Sequence, residues 1–184
     1  MIKLPIETER LRLRRFDIAD GTDLHAYLRL PETYTYEPGN PITVGDAWQE
    51  CIDRSAGNNL IAVSLIDSNR LIGHLSFGLA EPAYVNTYEL GYIFNPQYQR
   101  RGYCTEAVRA LVKAAFATGS VHRIEARCDI RNVASSRVLE KSGFTREGLM
   151  RKQIYFRKNE DGQPLWVDAY LFAMLAEDIL GTKY

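Results

Sequence analysis

The residues best suited to chemistry gather at Gln99-Arg100-Arg101-Gly102-Tyr103-Cys104, between an apolar run that ends at Phe94 and a segment with helical periodicity. A turn leading into a helix presents backbone N–H groups with no partner inside the helix, at the end where the helix dipole is positive. Gly102 lets the backbone approach an anion closely, and Arg100 and Arg101 add charge. Such a turn can bind a phosphate. The same residues also describe a solvated basic turn whose glycine serves geometry alone, and the motif by itself does not choose. It is not a Walker loop, since no Gly-Lys-Ser/Thr follows, and it lacks the three glycines of a dinucleotide fingerprint.

Other groups stand on either side of this turn. Glu89 lies in a strand-like run with Leu90, Ile93 and Phe94; a carboxylate buried there would have a raised pKa and could act as a base. An interior salt bridge to an arginine such as Arg127 is the equal alternative. Asn132-x-x-Ser135 opens a helix, where asparagine is a good N-cap. A capping box would place Glu or Gln where Ser135 stands, so the hydroxyl is not the obvious structural choice. His74 sits on a strand, where a lone histidine is more often structural than catalytic. Cys104 is near a helix N-terminus, which activates thiolates, yet no partner pattern accompanies it. Glu106 and Glu147 read as structural, the first because acids suit the opening turn of a helix. Asp168, Tyr170 and Trp166 belong to the last strand and are candidates to face an acceptor channel, although an ordinary core role is the commoner one for the two aromatics.

Length and charge narrow the class. The 184 residues suit one domain with a sizeable core, covering 1–184. Lys and Arg number 23 against 23 Asp and Glu, so no global field draws nucleic acid or an anionic membrane. The three cysteines stand in no metal-ligand spacing and their odd number argues against a disulfide framework, which suits a reducing cytoplasm. No apolar run reaches the ~18–20 residues of a membrane span, and the start lacks a signal-peptide core, so the mature chain is expected to begin at Met1.

The elements that must position these groups follow from periodicity. Residues 9–16 alternate charged and apolar, as a strand with one dry face does. Asp17 can cap a helix carrying Leu24, Tyr27 and Leu28, and residues 31–41 form a loop with Tyr34, Tyr36 and Gly39. The tyrosines serve either recognition or core packing. Thr43 caps a second helix with Val44, Ala47, Trp48, Cys51 and Ile52 on one face. Residues 60–66 and 71–79 make a hairpin and 88–94 a third strand, stopped by Asn95-Pro96. The helix from about 103 to 117 carries Ala107, Val108, Leu111, Val112, Ala115 and Phe116 at helical spacing. A strand over 122–128, a helix over 133–142 closed by Gly143, and strands over 150–157 and 165–174 complete the chain. This order predicts an α+β fold with a mixed, mostly antiparallel sheet, in which one strand–helix–strand crossover supplies the parallel portion.

The runs GYIFNPQYQRRGYCTEAVRAL and NVASSRVLEKSGFTREG, with ETERLRLRRF at the start and DAYLFAML near the end, resemble the GNAT superfamily of acyl-CoA N-acyltransferases, specifically its RimJ/RimL-type branch of protein N-terminal acetyltransferases. The similarity covers nearly the whole chain. The family pattern Gln/Arg-x-x-Gly-x-Gly/Ala is met at Gln99 and Gly102, and its last small position is Cys104. The resemblance implies a three-layer α/β/α fold with about seven strands, whose splayed parallel pair forms the acyl-CoA cleft. It implies acetyl-CoA as co-substrate, bound by Gln99, Arg100, Arg101, Gly102, Tyr103, Cys104 and Thr105, with the amides of residues 100–104 at the pyrophosphate and backbone donors around Ile93, Phe94 and Asn95 along the pantetheine. Asn132 would position the cofactor, and Ser135 would lie near its sulfur to protonate the departing thiolate. Many relatives use a helix tyrosine for that step, at the position of Leu139 here. No metal is implied, and relatives are commonly homodimers.

The implied reaction is direct attack of a primary amine on the thioester. A thiol of pKa ~8.5 leaves readily with a hydroxyl or water as donor, and an α-amine of pKa ~8 needs less help from a base than a lysine of ~10.4. Glu89 is the first candidate for that base, then His74 or a water chain; amides near Ile93 or Phe94 are the expected oxyanion donors. The leading acceptor is a protein N-terminus of the ribosomal-protein type. The alternatives are a small amine (antibiotic, polyamine or amino-acid analogue), a non-catalytic acyl-CoA-binding module, and a nucleotide-binding protein.

Overall fold

The computed structural model describes residues 2–180. Its centre is a sheet of eight strands in the order β1-β2-β3-β4-β5-β6-β8-β7. The strands are β1 (Ile6–Glu7), β2 (Leu11–Arg14), β3 (Leu60–Leu65), β4 (Leu71–Leu79), β5 (Thr87–Phe94), β6 (Arg123–Asp129), β7 (Thr145–Lys158) and β8 (Pro164–Leu175). Every neighbouring pair is antiparallel except β5 with β6. The mixed α+β sheet expected from the sequence is therefore present, with one strand more than the seven expected. The addition is two residues long, Ile6 and Glu7 against Leu13 and Arg12. So short a segment carries too little alternation to be read.

Helices cover both faces. On one side α1 (Gly21–Leu28) and α2 (Val44–Ala56) bury Leu24, Tyr27, Leu28 and Cys51 against Ala62 and Leu71. Thr43 caps α2 as expected, through a reciprocal capping box with Asp46. Its expected apolar face is narrower, since only Ala47 and Cys51 are buried while Val44, Trp48 and Ile52 stay exposed. On the other side α3 (Tyr103–Phe116) and α4 (Val133–Ser142) cover the larger core. All six apolar residues picked out on α3 by helical spacing are buried there. At ~1.5–3 kcal/mol for each large side chain, this stripe fixes where the N-terminus of α3 points. Gly143, with φ +96°, closes α4 and turns the chain into β7. A last short helix, α5 (Ala176–Leu180), follows β8. No helix among the described residues is long and apolar enough to cross a membrane.

Candidate active site

The cleft begins where the parallel pair stops pairing. β5 and β6 are matched only at Thr87, Tyr88 and Glu89 against Arg123, Ile124 and Glu125. Beyond that point β5 runs on to Phe94 paired with β4 alone, and β6 runs on to Asp129 paired with β8 alone. A gap opens between them. Along β5 the backbone alternates sides: the Asn95 amide donates to the Ile72 carbonyl at 2.9 Å, so Ile93 and Asn95 address β4 while Tyr92 and Phe94 address the gap. This corrects the expectation of free donors at Ile93 and Asn95. The Phe94 carbonyl on that side accepts from Gln99 Nε2 at 3.1 Å.

The turn at the top of α3 combines two left-handed residues, Arg100 at φ +60° and Gly102 at φ +82°. Alternating backbone hands of this kind turn successive N–H groups toward one point. Among the described residues, the amides of residues 100–105 have no acceptor. Asn95, whose side chain caps the turn Pro96–Tyr98, holds the approach to this loop. Its far side is clasped by Glu106, which accepts from Thr8 Oγ1 at 2.6 Å and from Arg10 Nε at 2.8 Å, while the Arg10 guanidinium lies 4.5 Å from the Tyr103 ring centre. Desolvation pushes the Glu106 carboxyl up, but these donors outweigh it and hold the pKa below the ordinary value. Its part is structural. Arg100 and Arg101 are exposed, and Cys104 packs against the core, where desolvation drives its thiol pKa far up, the reverse of an activated thiolate.

Across the gap, Asn132 caps α4 by accepting from the Ser135 amide at 3.0 Å. The Ser135 hydroxyl is 2.9 Å from the hydroxyl of Tyr92, which also reaches the Ser135 carbonyl at 3.1 Å. Tyr92 thus spans from β5 to α4. Burial raises its pKa well above that of a free phenol, so it stays a neutral hydroxyl. Nothing in the sequence pattern marks it: Tyr92 is one aromatic in an alternating strand. Leu139, by contrast, is fully in the core.

The expected bases fare differently. Glu89 is not buried: half of its side chain is exposed, and it pairs at 2.6 Å with Nη1 of Arg127, itself a residue of the cleft wall. Leu90 and Phe94 point into the core, and strand alternation sends Glu89 the other way. His74 is buried against Phe16 and bonded to the Tyr27 hydroxyl at 2.8 Å; burial, helped by the charge of Arg54, pushes its pKa down to about 3. That imidazole is neutral and hardly basic. Asp168 accepts from the Lys152 amide and Glu147 pairs with Arg123, so both are structural. Tyr34 packs inward with its hydroxyl on the Leu28 carbonyl, whereas Tyr36 and Trp166 line the cleft.

Beside β6 lies a cavity of about 530 Å³, bounded by the loop before α2, the N-terminus of α4 and the β7–β8 hairpin; its lining takes in no residue of β5 or of the turn 99–105, so it adjoins the gap on the β6 and α4 side. Asn132 and Ser135 open into it, as does Glu37, which stands between Tyr36 and Pro38 with no motif to mark it. Glu37 is half-buried, and desolvation raises its pKa from 4.5 to about 7.

A divergent parallel pair, an amide-rich turn at one end and a polar helix start facing it define an acetyltransferase of the GNAT type. Residues 10–145 match the acetyltransferase (GNAT) domain, and the chain belongs to that family. It is 35% identical over 175 residues to the uncharacterised N-acetyltransferase YnaD of Bacillus subtilis (strain 168), covering 94% of this chain and 98% of that protein. The crystal structure of a GNAT-family acetyltransferase from Bacillus anthracis superposes with a TM-score of 0.85 at 34% identity, over 95% of this chain and 99% of the other. A ribosomal-protein-serine acetyltransferase of Escherichia coli (strain K12) is 28% identical over 102 residues, 55% of this chain and 56% of that protein. The RimJ/RimL-type branch read from the motifs is consistent with this last relative. The chain is an acyl-CoA-dependent N-acetyltransferase, and acetyl-CoA is its acetyl donor.

Proposed function

We propose that the enzyme acetylates a primary amine by direct attack within a ternary complex, with a protein N-terminal α-amine as the acceptor. The observation that carries the reading is the parting of β5 and β6 at Glu89 and Glu125, with the turn of residues 99–105 at one end and Ser135 at the other. Pyrophosphate would lie against the amides of residues 100–104, with Arg100 and Arg101 neutralising charge. Pantetheine would follow the gap-facing backbone of Tyr92 and Phe94, with Asn132 holding the start of α4. As the amine attacks, the same gap-facing amides receive the oxyanion. Collapse breaks the C–S bond, and Ser135, with Tyr92 hydrogen-bonded behind it, supplies the proton to the thiolate.

The N-terminal acceptor rests on the resemblance to the ribosomal-protein-serine acetyltransferase. A small amine is the second reading, favoured by the modest volume of the cleft. The three free cysteines fit a cytoplasmic setting. The test is release of CoA thiol from acetyl-CoA with peptides bearing free N-termini and with a panel of small amines, the product being located by mass spectrometry. Acetyl on a peptide α-amine supports the first reading. Turnover confined to small amines selects the second, and binding without thiol release for any acceptor contradicts both.

A further inference from the structure

Glu37 has no hydrogen-bond or ion-pair partner among the described residues, although it sits in a cleft that withdraws it from water. A desolvated carboxylate without a partner is unfavourable, and the protein spends structure on keeping it there. From β7, Arg157 donates to the Tyr34 carbonyl at 2.8 Å and to the Gly39 carbonyl at 3.4 Å, fastening both ends of the loop. Glu37 lines the same cavity as Ser135, whose hydroxyl is bonded to that of Tyr92, so the acid and the polar start of α4 address the same space. The other acid on the cavity wall, Asp129, is already neutralised by Arg131 at 2.5 Å.

We propose that Glu37 is the group that receives the acceptor: it binds the incoming ammonium, takes its proton, and, with Tyr36, Tyr155 and Trp166 around it, selects an amine bearing one positive charge and an adjacent apolar or aromatic group. The proposal rests on the acetyltransferase reading of the cleft and deepens it. The ammonium R–NH3+ gives one proton to the Glu37 carboxylate and becomes R–NH2. Its lone pair forms the C–N bond at the thioester carbon. The C–S bond then breaks, Ser135 gives its hydroxyl proton to the thiolate, and the second amine proton passes from nitrogen to Ser135 to restore the hydroxyl. Glu37 returns its proton to water, leaving R–NH–acetyl and CoA thiol.

The selectivity follows from the wall. Among the described residues of the wall Glu37 is the one acid without a partner, and Arg127 stands on the wall with Arg131 behind Asp129, so a polyamine would bring charges that nothing receives. Aromatic faces receive an apolar neighbour of the ammonium, whether the first side chain of a peptide or an arylalkyl group. The charged and titratable groups that share the cavity wall with Glu37 are Tyr36 on its own loop, Arg127, Cys128 and Asp129 from β6 and Tyr155 from β7; Arg131 before α4 reaches the wall through Asp129, and Tyr92 from β5 through Ser135. With Arg127 paired to Glu89 and Arg131 to Asp129, desolvation dominates, and Glu37 is the group poised to titrate at about 7.

The experiment measures steady-state thiol release between pH 5.5 and 9 for the wild type, Glu37→Gln and Glu37→Asp. Acceptors are phenethylamine, a peptide with an N-terminal phenylalanine, and spermidine; acetyl-CoA affinity is measured by calorimetry on each variant. The expected result is unchanged acetyl-CoA affinity in Glu37→Gln, a loss of about 10²-fold or more in kcat/KM for the amine, and disappearance of the acid limb near pH 7. Glu37→Asp should keep the limb at reduced rate, and wild-type kcat/KM for spermidine should be lowest. Undiminished turnover and an unchanged pH profile in Glu37→Gln overturn the assignment of Glu37 alone. A preference for spermidine overturns the selectivity, and absence of thiol release by the wild type from every amine overturns the acetyltransferase reading beneath it.

Discussion

Replacing Glu37 by Gln should stabilise the protein at alkaline pH, although it removes a group we place in the reaction. The carboxyl titrates at about 7 in the folded chain against 4.5 as its ordinary value. The difference of about 2.5 units corresponds to roughly 3 kcal/mol at 1.36 kcal/mol per unit, a ceiling that water entering the open cleft reduces. The sign follows from proton binding. Between 4.5 and 7 the folded state holds a proton that the unfolded state has lost, so this group's contribution is fully present below 4.5 and is lost as pH rises through 7. Glutamine imitates the protonated acid at every pH. Urea unfolding of both proteins at pH 5 and pH 8 should show a gap of under about 1 kcal/mol at pH 5 and about 1–3 kcal/mol in favour of the variant at pH 8. At about 2–4 °C per kcal/mol for a chain of this size, the melting temperature rises by up to about 12 °C at pH 8. A gap independent of pH, or a variant less stable at pH 8, would refute the claim that Glu37 is desolvated and unpaired.

Gly102→Glu should abolish CoA binding by filling and charging the turn, at a backbone cost of about 1 kcal/mol for a side chain at positive φ; normal affinity by calorimetry would remove the turn from the cofactor site. Ser135→Ala and Tyr92→Phe should each lower kcat while sparing acetyl-CoA affinity, and the double variant should lose less than the product of the two. Should kcat survive both changes, water is the proton source. Glu89→Gln should change kcat/KM by less than about threefold, because an exposed ion pair contributes under ~1 kcal/mol. A hundredfold loss with normal folding would restore Glu89 as the base.

The sheet and helices were legible because their signals are local. Alternation in residues 9–16, the Thr43 cap and the apolar stripe on α3 each act within one element. Residue types mark the anion turn and the Asn132 cap that opens α4, and the resemblance assigns them to the cofactor. What escaped depends on which way a side chain points once strands are paired. The apolar neighbours of Glu89 suggest burial; the Arg127 partner named as the alternative is present, but alternation turns the pair away from the core and leaves it half exposed. Asn95 was read as a free donor, but its amide is consumed by Ile72, a residue more than twenty positions earlier. Tyr92 meets Ser135 across 43 positions of sequence, and Glu37 acquires its environment from β6, β7 and α4. No periodicity within a loop announces such a meeting.

The most direct measurement of the central claim is a crystal structure of the protein with acetyl-CoA bound. Pyrophosphate oxygens are expected on the amides of residues 100–104, pantetheine between β5 and β6 beside Tyr92 and Phe94, and the thioester facing Ser135 with Glu37 across the cavity. CoA bound outside the gap between those strands, or a thioester directed away from Ser135 and Glu37, would contradict it.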